Sequence, residues 1–170
     1  RDADPDPHTR VLTDRLLDDD DNEGLRAAFG QRIGFGTAGI RGSLGPGPGH
    51  MNRALIRQVS AGLASYLTKM VGPSALVVVG RDHRHGSKAF AADTIATLVA
   101  AGHRVQTYED IVPTPILAHA VKALGAAAGV MVTASHNPRE DNGYKVYWSN
   151  GAQIIPPHDA GIAAEIDGLG

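Results

Sequence analysis

Apolar positions along this chain follow two periods. From Met51 to Val71 they recur at helical spacing, with Leu55, Val59, Leu63, Tyr66 and Leu67 on one stripe. That is the pattern of an amphipathic helix packed on a core. Asn52 is placed to cap it, and Gly72-Pro73 to stop it. Ala75–Val79 is an unbroken apolar run and reads as a strand buried on both faces. A helix follows over Lys88–Ala101, with Ser87 as its cap and Gly102 at its end. Val105–Tyr108 reads as a short strand, and Thr114 or Pro115 opens a helix to Leu124. Ala127–Val132 is a second buried strand. Tyr144–Trp148 is strand-like, Ile154-Ile155 extends a last strand, and a helix runs near Pro157–Ile166. The strand–helix–strand alternation predicts an α/β fold, a three-layer α/β/α sandwich. Its sheet is expected to be mixed and mostly parallel, with the Tyr144–Ile155 strands adding antiparallel pairing.

The N-terminal stretch is different. Thr9–Asp18 predicts a short helix with Val11, Leu12, Leu16 and Leu17 apolar and Thr9 as cap, and residues 23–29 another helical turn. Asp18–Asp21 are four consecutive carboxylates, read as a solvated helix end rather than a metal site. These elements suggest a helical extension over residues 1–30, ahead of one domain over residues 31–170. The stretch Gly34–Gly49, with seven glycines and two prolines, reads mostly as loop.

Composition narrows the function classes. The net charge of −2 gives no electrostatic reason for a nucleic-acid or anionic-membrane partner. No apolar run approaches the ~20 residues that span a bilayer, and no signal-peptide pattern is visible near Arg1. The absence of cysteine excludes disulfide and thiol chemistry and is compatible with a cytoplasmic location.

The candidate chemistry lies in residues 130–148, VMVTASHNPREDNGYKVYW. A buried strand ends in Thr133-Ala134-Ser135-His136-Asn137-Pro138, so a serine is presented on a loop with a histidine beside it and a lysine, Lys145, further on. A free serine hydroxyl is a weak nucleophile without a base. Neighbouring side chains of an extended loop point apart, so a Ser135–His136 dyad is not expected. No G-x-S-x-G elbow supports a serine hydrolase. A serine that carries a phosphoryl group instead needs cations and a divalent ion around it, which suits Ser135 among His136, Asn137, Lys145 and Arg41.

Three segments carry a resemblance. TASHNP followed by DNGYK, Phe35-Gly36-Thr37-Ala38-Gly39-Ile40-Arg41-Gly42, and Val79-Gly80-Arg81-Asp82-His83-Arg84 with Ser87 occur in the order and spacing of the α-D-phosphohexomutase superfamily. The chain resembles the first of that family's four domains, from about Phe35 to Gln153, and its wording is closest to the longer phosphoglucomutase/phosphopentomutase branch. The resemblance implies that Ser135 is the phosphoserine and a ligand of Mg²⁺. It also implies that Lys145 is a general acid or base, that His136 and Asn137 help shape the loop with His136 among the catalytic residues, and that Arg41, Asn137 and Thr37 bind phosphate. The implied reaction moves phosphate between C1 and C6 of a hexose phosphosugar through a sugar 1,6-bisphosphate, with a glucose 1,6-bisphosphate-type activator. Phosphopentomutase action is the alternative, and an inactive module binding a phosphosugar or protein partner is another. The family's three metal-binding aspartates belong to its second domain, so the remaining domains of the same polypeptide are the expected partners. Asp82 with Arg84 or Arg81 reads as an ion pair bracing these loops. His83 and His85 read as surface histidines.

Overall fold

The computed structural model describes residues 4–169. Residues 1–3 and 170, which the expected extension and domain limits include, lie outside the described residues. Six helices and five strands follow in the order α1 (Pro7–Asp18), α2 (Asn22–Phe29), β1 (Gly39–Ser43), α3 (Arg53–Met70), β2 (Leu76–Arg81), α4 (Ser87–Ala100), β3 (Arg104–Thr107), α5 (Thr114–Ala123), β4 (Ala128–Val132), β5 (Asp141–Trp148) and α6 (His158–Asp167). The strands form one sheet in the order β1-β5-β4-β2-β3. β2 pairs parallel with both β3 and β4, whereas β5 pairs antiparallel with both β4 and β1. The sheet is therefore mixed as expected. β5 alone runs against the other four strands.

Strand alternation divides the core between two faces. Val77 and Val79 of β2, Val130 and Val132 of β4, and Tyr144 and Val146 of β5 pack with α3, α4 and α6. Val78, Met131 and Tyr147 face the other way, onto Leu117 and Val121 of α5. Every residue of β4 is buried. This is the three-layer arrangement. Among the described residues no helix is long and apolar enough to cross a membrane.

Several local expectations change. The glycine-rich stretch contains β1, whose residues Gly39–Ser43 pair with Lys145–Asp141 of β5. Composition concealed it, because a strand poor in side chains has no hydrophobic period. Asn52 does cap α3, its side chain accepting from the Leu55 amide at 2.9 Å. Ser87 does not cap α4. The cap residue is Gly86, at φ 79, and the Ser87 hydroxyl donates instead to Asp82 Oδ1 at 2.6 Å. α1 begins earlier than Thr9, with Asp6 as its cap accepting from the His8 amide, and Thr9 is buried. Val11 and Leu17 are 48% and 52% exposed, so the apolar stripe expected of α1 is not its buried face. Ile154-Ile155 forms no strand, and only a single bridge from Tyr147 to Gln153 continues past β5. The four aspartates at 18–21 are exposed as expected, and Asp21 caps α2.

A buried carboxylate of α4 paired with two arginines locks α3 to α4. Asp93, 5% exposed, accepts from Arg53 Nε at 2.6 Å and Nη2 at 2.9 Å, and from Arg57 Nε at 2.9 Å. Burial alone would push its carboxyl up, but the hydrogen bonds from Arg53 and Arg57 outweigh burial and hold it below the usual 3.8. A carboxyl depressed by folding contributes stability above its unfolded pKa and loses it as pH falls through the folded value. Asp93→Asn should therefore lower unfolding free energy at pH 7 by about 2 kcal/mol, discounted for the partly exposed arginines. Urea unfolding at pH 7 and pH 3 should show a smaller loss at the lower pH, which lies below the usual 3.8. An equal loss at both values would rule out the charge as its source.

Candidate active site

The site gathers at the carboxyl ends of β2 and β4, where parallel α/β sheets place their ligands. β4 delivers Thr133, Ala134 and then Ser135. Ser135 is exposed and lies at φ 59, in the left-handed region that few residues other than glycine occupy. Such a conformation costs about 1–3 kcal/mol and persists only where neighbours impose it. Its amide donates to Thr133 Oγ1 at 2.9 Å, and the loop is closed by the Asn137 amide on Ala134 O and the Asp141 amide on Pro138 O, both at 3.1 Å. The left-handed backbone brings Ser135 Oγ to 3.4 Å from His136 Nδ1. That corrects the expectation that the two side chains point apart, which assumed an extended loop. At that length the contact is weak.

Arg41 projects from β1 and donates through Nη1 to Asn137 Oδ1 at 3.0 Å, while Asn137 Nδ2 donates to Asp141 Oδ2 at 2.7 Å. The first glycine-rich segment is thus tied to the serine loop. Lys145 stands in β5 between Gly39 of β1 and Met131 of β4. Thr37, Arg41 and Lys145 line one open depression of about 290 Å³, with Gln153 on its rim. Gln153 was missed in the sequence, having no motif of its own. Thr37 and Ala38 form the tip of a tight hairpin closed by reciprocal bonds between Gly36 and Gly39 at 2.9 and 3.1 Å. Gly39 has φ 135, and a Cβ there would strike the Tyr144 carbonyl.

Burial lowers the Lys145 pKa, the Arg41 charge lowers it further, and Asp82 partly opposes them. The amine is therefore more readily neutral than a free lysine, as a group that accepts a proton requires. Behind the loop, Arg84 donates to four backbone carbonyls, those of Ser135, Asn137, Pro138 and Asp141. Asp82, 3.5 Å from Arg84 Nε, accepts from the Arg84 amide and the Ser87 hydroxyl. The bracing expected of this pair is present, and its main partner is the loop backbone. Asn142, fully buried, donates to His85 O at 2.7 Å and Ser87 Oγ at 3.0 Å. Neither Asn142 nor Ser87 was singled out for this lattice, since a buried asparagine is indistinguishable from a turn asparagine in sequence. His83 and His85 are exposed.

Among the described residues no group of three or more histidine, cysteine, aspartate or glutamate side chains could hold a metal ion. Ser135 is a single candidate ligand, and the donor set here does not by itself fit Mg²⁺.

The profile for "Phosphoglucomutase/phosphomannomutase, alpha/beta/alpha domain I" matches residues 32–169. The chain belongs to this family. The Schizosaccharomyces pombe protein named "Probable phosphoribomutase" is 48% identical over 167 residues, covering 96% of this chain and 28% of that protein. Human "Phosphopentomutase" is 44% identical over 161 residues, with 90% and 26% covered. Human "Glucose 1,6-bisphosphate synthase" is 41% identical over 167 residues, with 94% and 27% covered. The chain thus spans little more than a quarter of the length of these relatives. Among solved structures, a Burkholderia thailandensis "Phosphoglucomutase/phosphomannomutase family protein" superposes with a TM-score of 0.66 at 27% identity, covering 79% of this chain and 30% of that one. A phosphomannomutase candidate from Thermus thermophilus gives 0.74 at 34%, covering 80% and 30%. Two of these relatives carry phosphomutase names.

The electrostatics at Lys145 yield a direct test. Arg41→Ala removes a like charge, so the Lys145 pKa should rise toward 10.5 without reaching it, because burial persists. An NMR titration of the Lys145 side chain checks this. An unchanged value would mean that Arg41 exerts no field at the amine.

Proposed function

We propose that this chain is the serine-bearing domain of a phosphosugar mutase, with Ser135 as phosphoryl carrier. The exposed, left-handed Ser135 at the carboxyl end of β4, joined through Asn137 to Arg41, is the observation that carries this reading. Phosphoserine transfers its phosphoryl group to the free hydroxyl of a sugar monophosphate. The serine O–P bond breaks and a sugar O–P bond forms, giving a sugar bisphosphate. Lys145 takes the hydroxyl proton, and His136, 3.4 Å from Ser135 Oγ, supplies one to the departing serine oxygen. The bisphosphate turns over, and its other phosphoryl group returns to Ser135 with the two proton carriers exchanging tasks. Arg41 holds phosphate oxygens and Thr37 offers a hydroxyl from the same depression. Catalysis here is positioning and charge stabilisation.

Pentose 1- and 5-phosphates are the favoured substrates, supported by relatives named phosphoribomutase and phosphopentomutase at 44–48% identity. Hexose 1,6 transfer, the first expectation from sequence, is the second reading. It draws on the family description and on the relative named glucose 1,6-bisphosphate synthase, which also suits a bisphosphate activator. Mg²⁺ would supply Lewis-acid neutralisation of the phosphoryl oxygens. Beyond Ser135 its ligands would come from outside the described residues. The described part of residues 1–30 is then a helical extension ahead of the domain proper over residues 31–170, and the enzyme works in the cytoplasm.

In the full-length gene product with Mg²⁺, Ser135→Ala should reduce turnover of ribose 1-phosphate by about 10⁴-fold or more. Lys145→Ala should lower kcat by about 10²-fold with little change in KM. Substantial flux through Ser135→Ala would end the carrier assignment. A higher kcat/KM for glucose 1-phosphate than for ribose 1-phosphate in the unmodified enzyme would transfer the assignment to the hexose reading.

A further inference from the structure

We propose that Arg84 is the positioning residue that fixes the phosphoryl-carrying serine in its reactive conformation; this rests on Ser135 being the carrier. A guanidinium has five N–H groups and no acceptor. In Arg84, Nη1 donates to Pro138 O at 2.6 Å and Asp141 O at 3.1 Å, and Nη2 to Asn137 O at 2.6 Å and Ser135 O at 2.9 Å. Nε lies 3.5 Å from Asp82 Oδ2. The nitrogens that could grip a phosphate are therefore committed to the protein. Although Arg84 lies directly behind Ser135, it acts on the loop and leaves the ligand to Arg41.

The commitment has a structural consequence. Carbonyl dipoles converging on one point repel each other unless a cation sits there. The one at this centre is only 16% exposed, so water screens it poorly. Arg84 thus holds both ends of the loop, Ser135 and Asp141, at fixed separation, and Ser135 has a reason to stay at φ 59. Drawing the Ser135 and Asn137 carbonyls onto a cation also offsets their partial negative charge beside a serine that bears a phosphate dianion. The guanidinium is itself oriented. Asp82 accepts from the Arg84 amide at 2.9 Å and from Ser87 Oγ at 2.6 Å. The buried Asn142 of β5 ties Ser87 to the sheet at 3.0 Å.

Lysine keeps the charge but offers donors from a single atom, so it cannot span four carbonyls. Arg84→Lys in the full-length gene product is expected to lower kcat by about 30- to 100-fold, the scale of a small misplacement of reacting groups, while KM for the sugar phosphate stays within about threefold. Guanidinium ion added to Arg84→Ala should restore part of kcat, whereas methylammonium should not. Hydrogen exchange should show loop amides 135–141 opening faster in Arg84→Lys, with the β4 amides unchanged. Wild-type kcat in Arg84→Lys would overturn the proposal. So would an equal loss accompanied by faster exchange throughout the sheet, which marks general destabilisation. Should Arg84→Lys fail to fold, Arg84→Gln, which keeps two donors, is read by the same kcat-to-KM split and must show it. Turnover surviving in Ser135→Ala would instead defeat the carrier reading, and the exchange result would then still report whether Arg84 holds the loop.

Discussion

The site depends on the burial of β4. Ala128, Val130 and Val132 pack against the helices of one layer, while Met131 and Gly129 press on α5. Each large apolar side chain so buried contributes about 1.5–3 kcal/mol. A strand held on both faces cannot shift its register without turning its side chains to the wrong face. The chain leaving β4 therefore emerges at a fixed height and direction, and Ser135 inherits that precision although it is itself exposed. Gly129 belongs to the same constraint, because a Cβ there would run into Val121 and Leu117 of α5.

The reversed strand β5 adds the rest. Running antiparallel between β4 and β1, it places Lys145 beside Met131 on one side and Gly39 on the other. One residue thereby faces both glycine-rich and serine-bearing segments, which are about a hundred positions apart in sequence. The glycines of β1 permit this approach, since Gly39 lies against the Tyr144 carbonyl. Partial burial and the Arg41 charge then act on the amine in the same direction. Two arginines frame the loop with opposite tasks. Arg41 meets it from the exposed side through Asn137, and Arg84 takes its carbonyls from behind.

Much of this was legible in the chain. The α3 stripe and its Asn52 cap, the apolar runs of β2 and β4, and the serine loop with its companions Arg41 and Lys145 all carry their own local signal. Other features do not. β1 has almost no side-chain pattern, and its existence depends on the partner edge of β5. The left-handed φ of Ser135 depends on bonds from residues far away, so its closeness to His136 could not be foreseen from a loop assumed to be extended. Ser87 looked like a helix cap because serine favours that position. A nearby carboxylate, Asp82, took its hydroxyl instead.

Sequence by itself determined the alternation of strands and helices, the two buried strands and the identity of the reactive side chains. These follow from hydrophobic periodicity and side-chain chemistry, which are local properties. Tertiary structure alone decided the direction of β5, the donors committed by Arg84, the shared depression of Thr37, Arg41 and Lys145, and the lowered pKa of that lysine. Hydrogen-bond allocation and electrostatic fields depend on distances between residues remote in the chain, and those distances exist only once the sheet has closed.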